Sequence, residues 1–204
     1  MHAVELDGTL CEELDDHFES EISAGRLTVQ QGDATRRDLP AFEMVVSNLP
    51  YSVSSKNTFR ILDIGFLEAV LMFQSEFADR MVAPAGTKAC GRLSIMVQTY
   101  AAVQKCFKLS PHCFAPKPKV HSTVVKIFPR PPIFPVNDRK LYATVVLALF
   151  SHRRKTVKNG IRDLFGVLDP AWTQKVIVAL PAEILQSRPG ELYLEDFATI
   201  AYFV

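Results

Sequence analysis

Apolar residues change their spacing from one segment of this chain to the next, and those changes outline its elements. Residues 2–6 read as a strand. Leu10, Leu14, Phe18 and Ile22 then recur at every fourth position, the signature of one face of an amphipathic helix, and Gly25 is a natural stop for it. Leu27 to Gln31 alternates like a strand and runs into Gly32-Asp33-Ala34, while Phe42 to Ser47 predicts a buried strand followed by a helix over about 55–65. Ala69 to Phe73 predicts a short buried strand; one helical stretch starts over Phe77 to Met81 and another covers about 91–101. Val103 to Leu109 and Thr123 to Phe128 predict two strands either side of a proline-rich loop, 111–118. Such alternation implies an α/β sheet whose last two strands form an antiparallel hairpin. Pro129, Pro131, Pro132 and Pro135 cannot continue a strand. Beyond them the pattern is helical only, over about 138–150, 152–164, 170–179 and 194–202. The expected division is an α/β domain over 1–132 and a small all-helical domain over 133–204.

Composition adds three constraints. At 204 residues and 48% hydrophobic, the chain can bury a large core. No apolar run reaches the roughly 18 residues of a membrane span, and no charged-then-apolar leader pattern opens the chain, so no membrane partner is expected. Cys11, Cys90, Cys106 and Cys113 lack C-x-x-C spacing, which reads as reduced thiols with no metal. The net charge of +1 conceals a split: residues 1–100 hold 8 Lys and Arg against 15 Asp and Glu, and residues 101–204 hold 15 against 7. A basic rear half suggests a footprint for phosphates. Ordinary solvated lysines and arginines are the other reading.

The chemistry concentrates at Asn48-Leu49-Pro50-Tyr51, just past the Phe42–Ser47 strand. The Asn48 side-chain oxygen can accept a hydrogen bond from an amino group. Pro50 has no N–H, and Leu49 before it is biased to an extended conformation, so backbone carbonyls can turn towards a ligand. Tyr51 offers a flat face for a nucleobase, a contact of about 1–3 kcal/mol. Glu5 ends a strand ahead of a helix, where a carboxylate can accept from both hydroxyls of a ribose; Asp7 fits the alternative role of a helix-start carboxylate. Asp33 also ends a strand, as a ligand for an exocyclic amine or as an Asp completing its own turn. His152, Arg153, Arg154, Lys155 and Lys158 form the densest basic cluster, placed at the start of the predicted 152–164 helix. They can neutralise several phosphates or simply line a solvated face.

The residues from Val45 through Asn48-Leu49-Pro50-Tyr51 to Ser55 resemble the rRNA adenine N6-dimethyltransferases, which use S-adenosylmethionine. So do Gln74 to Ala83 with Gly91-Arg92-Leu93-Ser94, Phe114-Ala115-Pro116-Lys117-Pro118-Lys119-Val120-His121-Ser122, Leu149 to Thr156, and Arg188-Pro189 with Leu194 to Ala198. The resemblance implies a Rossmann-like methyltransferase sheet with a small helical C-terminal domain that binds RNA. It further implies dimethylation of two adjacent adenosines near the 3′ end of small-subunit rRNA, acting on that RNA or the pre-ribosomal subunit. In that reading Glu5 holds the cofactor ribose, Asp33 of the G-D-A turn accepts from its adenine amine, and Ala34 and Asn48 also bind the cofactor. Asn48 and the Pro50 carbonyl hold the target amine. Tyr51 and Phe114 sandwich the target base, though Phe114 could instead cover the core. Lys117 and Lys119 approach phosphates or remain solvated. A slight likeness to archaeal members favours a cytoplasmic protein, expected to act as a monomer.

One family element is missing. No G-x-G-x-G turn is present, and the chain opens where the family's second strand should be. The expectation is an N-terminally truncated chain whose missing strand would lie between the strands at residues 2–6 and 43–47; the alternative is a natural short form with some other central element. The rival expectation is a catalytically silent RNA-binding assembly factor. The macrolide-resistance methylases share the adenine-handling motif, but the long helical tail is more like the ribosome-biogenesis branch. DNA adenine methylases usually carry an acidic residue where Asn48 stands.

Overall fold

A computed structural model describes residues 1–48, 50–165 and 170–204. Leu49, expected to be extended, lies outside the described residues. Two parallel strands open the fold: β1 (His2–Glu5) pairs with β2 (Thr28–Gln31), Glu5 standing opposite Gln31. Between them run α1 (Gly8–His17) and α2 (Glu19–Ser23). The second sheet contains β3 (Met44–Asn48), β4 (Glu68–Gln74), β5 (Ala101–Leu109) and β6 (Ser122–Pro129), in the order β3-β4-β6-β5. β3 and β4 are parallel; β6 runs antiparallel to both β4 and β5, so the expected hairpin forms with its return strand inside the sheet. Among the described residues β1 pairs with β2 alone and β3 with β4 alone, so the two sheets are separate.

Strict alternation makes β4 the centre of the first core. Ala69, Leu71 and Phe73 point to one face and are buried, together with Val125 and Ile127 of β6. Three helices cover that face: α3 (Ser54–Ile64) through Ile61 and Leu62, α4 (Ser75–Met81) through Ala78 and Met81, and α5 (Arg92–Tyr100) through Leu93 and Val97. The opposite face of α5, Ile95 and Met96, enters a second core. There it meets Tyr142, Val145, Val146 and Leu149 of α6 (Arg139–Ser151), Val157 and Ile161 of α7 (Val157–Phe165), Val176 and Ile177 of α8 (Pro170–Ala179), Ile184 of α9 (Ala182–Gln186), and Phe197 and Ile200 of α10 (Leu194–Phe203). Each fully buried aliphatic or aromatic side chain contributes about 1.5–3 kcal/mol, so α5, buried on both faces, is the joint of the molecule. Arg139 reinforces it, bonding the Leu62 carbonyl and Asp63 of α3 while its guanidinium lies 4.5 Å from the Tyr100 ring.

The elements expected from spacing are found within two residues of their predicted bounds, with two exceptions. The helix expected through Leu10 and Ile22 is broken at Phe18 (φ −114°, ψ 27°), because its stripe is not covered: Leu10 is exposed, and α1 and α2 bury Cys11 alone. Without packing, short helices have little to hold them together. The helix expected over 152–164 starts only at Val157, so Arg153, Arg154 and Lys155 of the basic cluster sit in a turn and Lys158 lies in α7; His152 ends α6, and Lys155 N–H donates to the His152 carbonyl at 2.8 Å. α9 and short 3₁₀ turns at Tyr51–Val53 and Pro111–Cys113 were not anticipated.

Candidate active site

β3 delivers Asn48 to its C-terminal end, opposite Met72 of β4. Pro50 (φ −55°, ψ 132°) turns the chain into the 3₁₀ turn that carries Tyr51, and α3 starts directly afterwards. The Pro50 carbonyl accepts from Val53 N–H at 3.1 Å, which fixes its direction and leaves its second lone pair available. The loop between β5 and β6 faces this corner. Its own turn is set by Ser110, whose hydroxyl accepts from His112 N–H and whose carbonyl accepts from Cys113 N–H; the Ala115–Pro116 peptide is cis.

Asn48, Pro50 and Tyr51 from one segment and Phe114, Pro116 and Pro118 from the other line a single open cavity of about 310 Å³. Phe114 belongs to neither core and turns its ring to this cavity. The Asn48 amide is exposed and finds no hydrogen-bond partner among the described residues. Flat apolar walls with acceptors at one edge suit a planar heterocycle carrying an exocyclic amine. A larger cavity of about 570 Å³ lies between residues 134–138 and helices α6 and α10, and its lining shares none of these residues. Behind the smaller cavity, the Tyr51 hydroxyl hydrogen-bonds Ser122 Oγ at 2.6 Å.

The two strand ends that carry Glu5 and Asp33 are joined, because Gly32 N–H donates to the Glu5 carbonyl at 2.7 Å. Glu5 Oε1 accepts from Leu6 N–H at 2.7 Å and from Asp7 N–H at 3.0 Å, which leaves Oε2 outward. Asp7 takes the helix-capping role, accepting from Thr9 N–H at 2.9 Å. Asp33 accepts from Thr35 N–H at 2.8 Å and pairs with Arg36 at 3.3 Å. The Thr35 hydrogen bonds, helped by Lys56 and Arg36, hold its carboxyl below the usual carboxylate range. Ala34 follows, half-buried. Sequence reasoning missed the tie between this turn and the adenine-like cavity: Lys56 Nζ donates to Thr35 Oγ1 at 2.8 Å, and Arg60 donates to the carbonyls of Thr35 and Arg37. Both cations lie on α3, one and two turns past Tyr51.

The basic residues fall into two groups. Lys117 Nζ lies 3.2 Å from His112 Nε2 and Lys119 is exposed, both on the loop that carries Phe114. In the α6–α7 turn, Arg153 donates to the Lys88 carbonyl and Lys155 pairs with Asp163 of α7. Arg154 and Lys158 make no ion pair among the described residues. No group of His, Cys, Asp and Glu among the described residues could hold a metal ion, and no helix there is long and apolar enough to cross a membrane.

A family profile described as ribosomal RNA adenine dimethylase matches residues 1–200. A Methanospirillum hungatei protein named probable ribosomal RNA small subunit methyltransferase A is 56% identical over 199 residues, covering 98% of this chain and 78% of that one. Its Halobacterium salinarum namesake is 44% identical, covering 98% and 70%. Among solved structures, a dimethyladenosine transferase from Plasmodium falciparum superposes with a TM-score of 0.79 at 25% identity, covering 98% of this chain and 79% of that one. The 23S rRNA methyltransferase ErmE shares the fold, with a TM-score of 0.67 at 17% identity over 99% and 80%.

Proposed function

This chain belongs to the ribosomal RNA adenine dimethylase family, and we propose that it transfers methyl groups from S-adenosylmethionine to N6 of adenosines in small-subunit rRNA. The observation that carries this reading is the single cavity joining Asn48, Pro50 and Tyr51 to Phe114. An adenine extruded from a loop, where unstacking costs least, fits between the Tyr51 and Phe114 rings. Its N6 lone pair is delocalised into the ring, which makes the amine a poor nucleophile. Asn48 Oδ1 and the Pro50 carbonyl accept its two N–H groups and rotate the lone pair out of conjugation. No strong general base is needed; orientation and fixed dipoles supply the rate.

The cofactor residues fit the nucleoside half of S-adenosylmethionine. Glu5 keeps one carboxylate oxygen free for a ribose diol, and ionised Asp33 has acceptor capacity left for an adenine amine. When bound, the cofactor would supply a methyl activated by a sulfonium, with a neutral thioether as the leaving group and one N6 proton released to solvent at each transfer. The tie from Lys56 and Arg60 to residues 35–37 then links the cofactor turn to the helix that follows the target-base site. Residues 1–132 form the catalytic domain in this reading. Residues 133–204 hold the RNA, Arg154 and Lys158 meeting phosphates while Arg153 and Lys155 brace the turn that presents them, with Lys117 and Lys119 nearer the target base. The protein acts as a monomer on pre-ribosomal small subunits in the cytoplasm.

The test is incubation with methyl-labelled S-adenosylmethionine and RNA covering the 3′ end of small-subunit rRNA, followed by mass spectrometry of the released nucleosides. N6,N6-dimethyladenosine at two adjacent positions is expected. Salt-sensitive RNA binding with no methyl incorporation would overturn the reading in favour of a silent assembly factor.

A further inference from the structure

We infer that Ser122 is a positioning residue for base recognition, acting through the Tyr51 hydroxyl. This deepens the proposed function and rests on it. Ser122 is the first residue of β6 and is fully buried, with Gln74 of β4 on one side and Leu109 of β5 on the other. That makes it the point where three strands converge beneath the cavity. The next residue, Thr123, bonds Ser75 Oγ at 2.8 Å, and Ser75 N–H donates to the His121 carbonyl at 2.9 Å, so the strand end is held on both sides.

Tyr51 lacks such support of its own. It sits in a three-residue 3₁₀ turn at the cavity mouth, and its ring faces the open space. A tyrosine ring there can turn about two side-chain dihedrals. The 2.6 Å bond to Ser122 fixes the far end of the phenol to the rigid sheet and so sets the plane on which a base stacks. Catalysis by orientation depends on that plane: a base misplaced by about 1 Å can lose on the order of 10²-fold in rate. A buried serine hydroxyl needs a partner, and the Tyr51 hydroxyl is the one it has here, so the bond holds from both ends. The same bond joins the Asn48–Tyr51 segment to the β5–β6 hairpin, whose loop carries Phe114. It therefore sets the spacing between the two rings of the sandwich.

A double-mutant cycle of Ser122→Ala and Tyr51→Phe tests the role. One readout is quenching of a 2-aminopurine placed at the target position of an RNA oligonucleotide, and the other is kcat and KM for methyl transfer. Either single variant should weaken quenching and lower kcat about tenfold, with KM for RNA little changed, and the pair should be no worse than either alone. Ser122→Thr should restore both readouts. Tyr51→Phe removes the same bond from the side that lines the cavity, and with its fold checked by circular dichroism it decides the matter if Ser122→Ala unfolds: unaltered quenching and kcat in Tyr51→Phe sink the proposal. Additive losses in the pair also overturn it. A wild-type protein that binds the RNA but leaves 2-aminopurine unquenched instead removes the parent reading, and this one falls with it.

Discussion

At the scale of single residues, the site divides into groups that touch the base and groups that hold them. Asn48 is of the first kind. Its amide is exposed and makes no intramolecular bond among the described residues, so it contributes little to the fold. Asn48→Ala should therefore leave the melting temperature within about 1 °C of wild type, as expected for a surface change, and cut kcat on the order of 10²-fold, the loss typical of one preorganised acceptor or donor. Thermal denaturation and single-turnover methyl transfer check the two halves, and wild-type turnover would remove Asn48 from the mechanism. This residue was legible in sequence because its neighbours are local: a buried strand, a proline and an aromatic lie within a few positions. Ser122 was not. Its bond to Tyr51 spans 71 positions, and a serine opening an alternating strand gives no sign of which distant hydroxyl it will meet.

At the scale of elements, one phenol adds hydrogen bonds to the apolar packing between α5 and the C-terminal helices. Tyr142 of α6 is fully buried; its hydroxyl meets Thr99 Oγ1 of α5 at 2.9 Å and the Leu194 carbonyl of α10 at 3.2 Å. Burial pushes its ionisation above the usual tyrosine range, which favours the neutral hydrogen-bonding form. Tyr142→Phe keeps the ring and removes both bonds, at a cost of about 1–2 kcal/mol, while Thr99 Oγ1 retains its 2.8 Å bond to the Ile95 carbonyl. Read by calorimetry, that is a melting temperature lower by roughly 3–6 °C for a chain of this size. An unchanged melting temperature would mean that the three helices are held by apolar contact alone. The helices around Tyr142 were legible because their apolar spacing coincides with real burial. The stripe from Leu10 to Ile22 had the same spacing and misled, since no neighbour covers it and the helix parts at Phe18. The 152–156 turn was equally hidden. Its residues are mostly polar, and polar residues carry no periodic signal to separate a turn from an exposed helix.

Across the whole molecule, charge decides where RNA can lie. The acidic excess falls in residues 1–100 and the basic excess in 101–204, so phosphates are repelled from one part of the chain and attracted to the other. Within the basic part the cations are unequal. Lys155 is already paired with Asp163, and Arg153 is bonded to the Lys88 carbonyl with its guanidinium against Gly190. Their side chains brace the turn against neighbouring segments, and contact with phosphate would compete with those bonds. Arg154 and Lys158 have no ion partner among the described residues and are free to displace counterions. Each phosphate neutralised adds about 0.7–0.9 to the steepness of log affinity against log salt. Replacing Arg154 and Lys158 together by Ala should thus flatten that slope by about 1.5. Lys155→Ala should flatten it far less, because Asp163 already offsets its charge. Binding of an RNA covering the 3′ end of small-subunit rRNA, titrated across a salt series for the three proteins, gives the slopes directly. Parallel lines for wild type and the double variant would place the phosphate contacts elsewhere, with Lys117 and Lys119 on the Phe114 loop the next residues to replace.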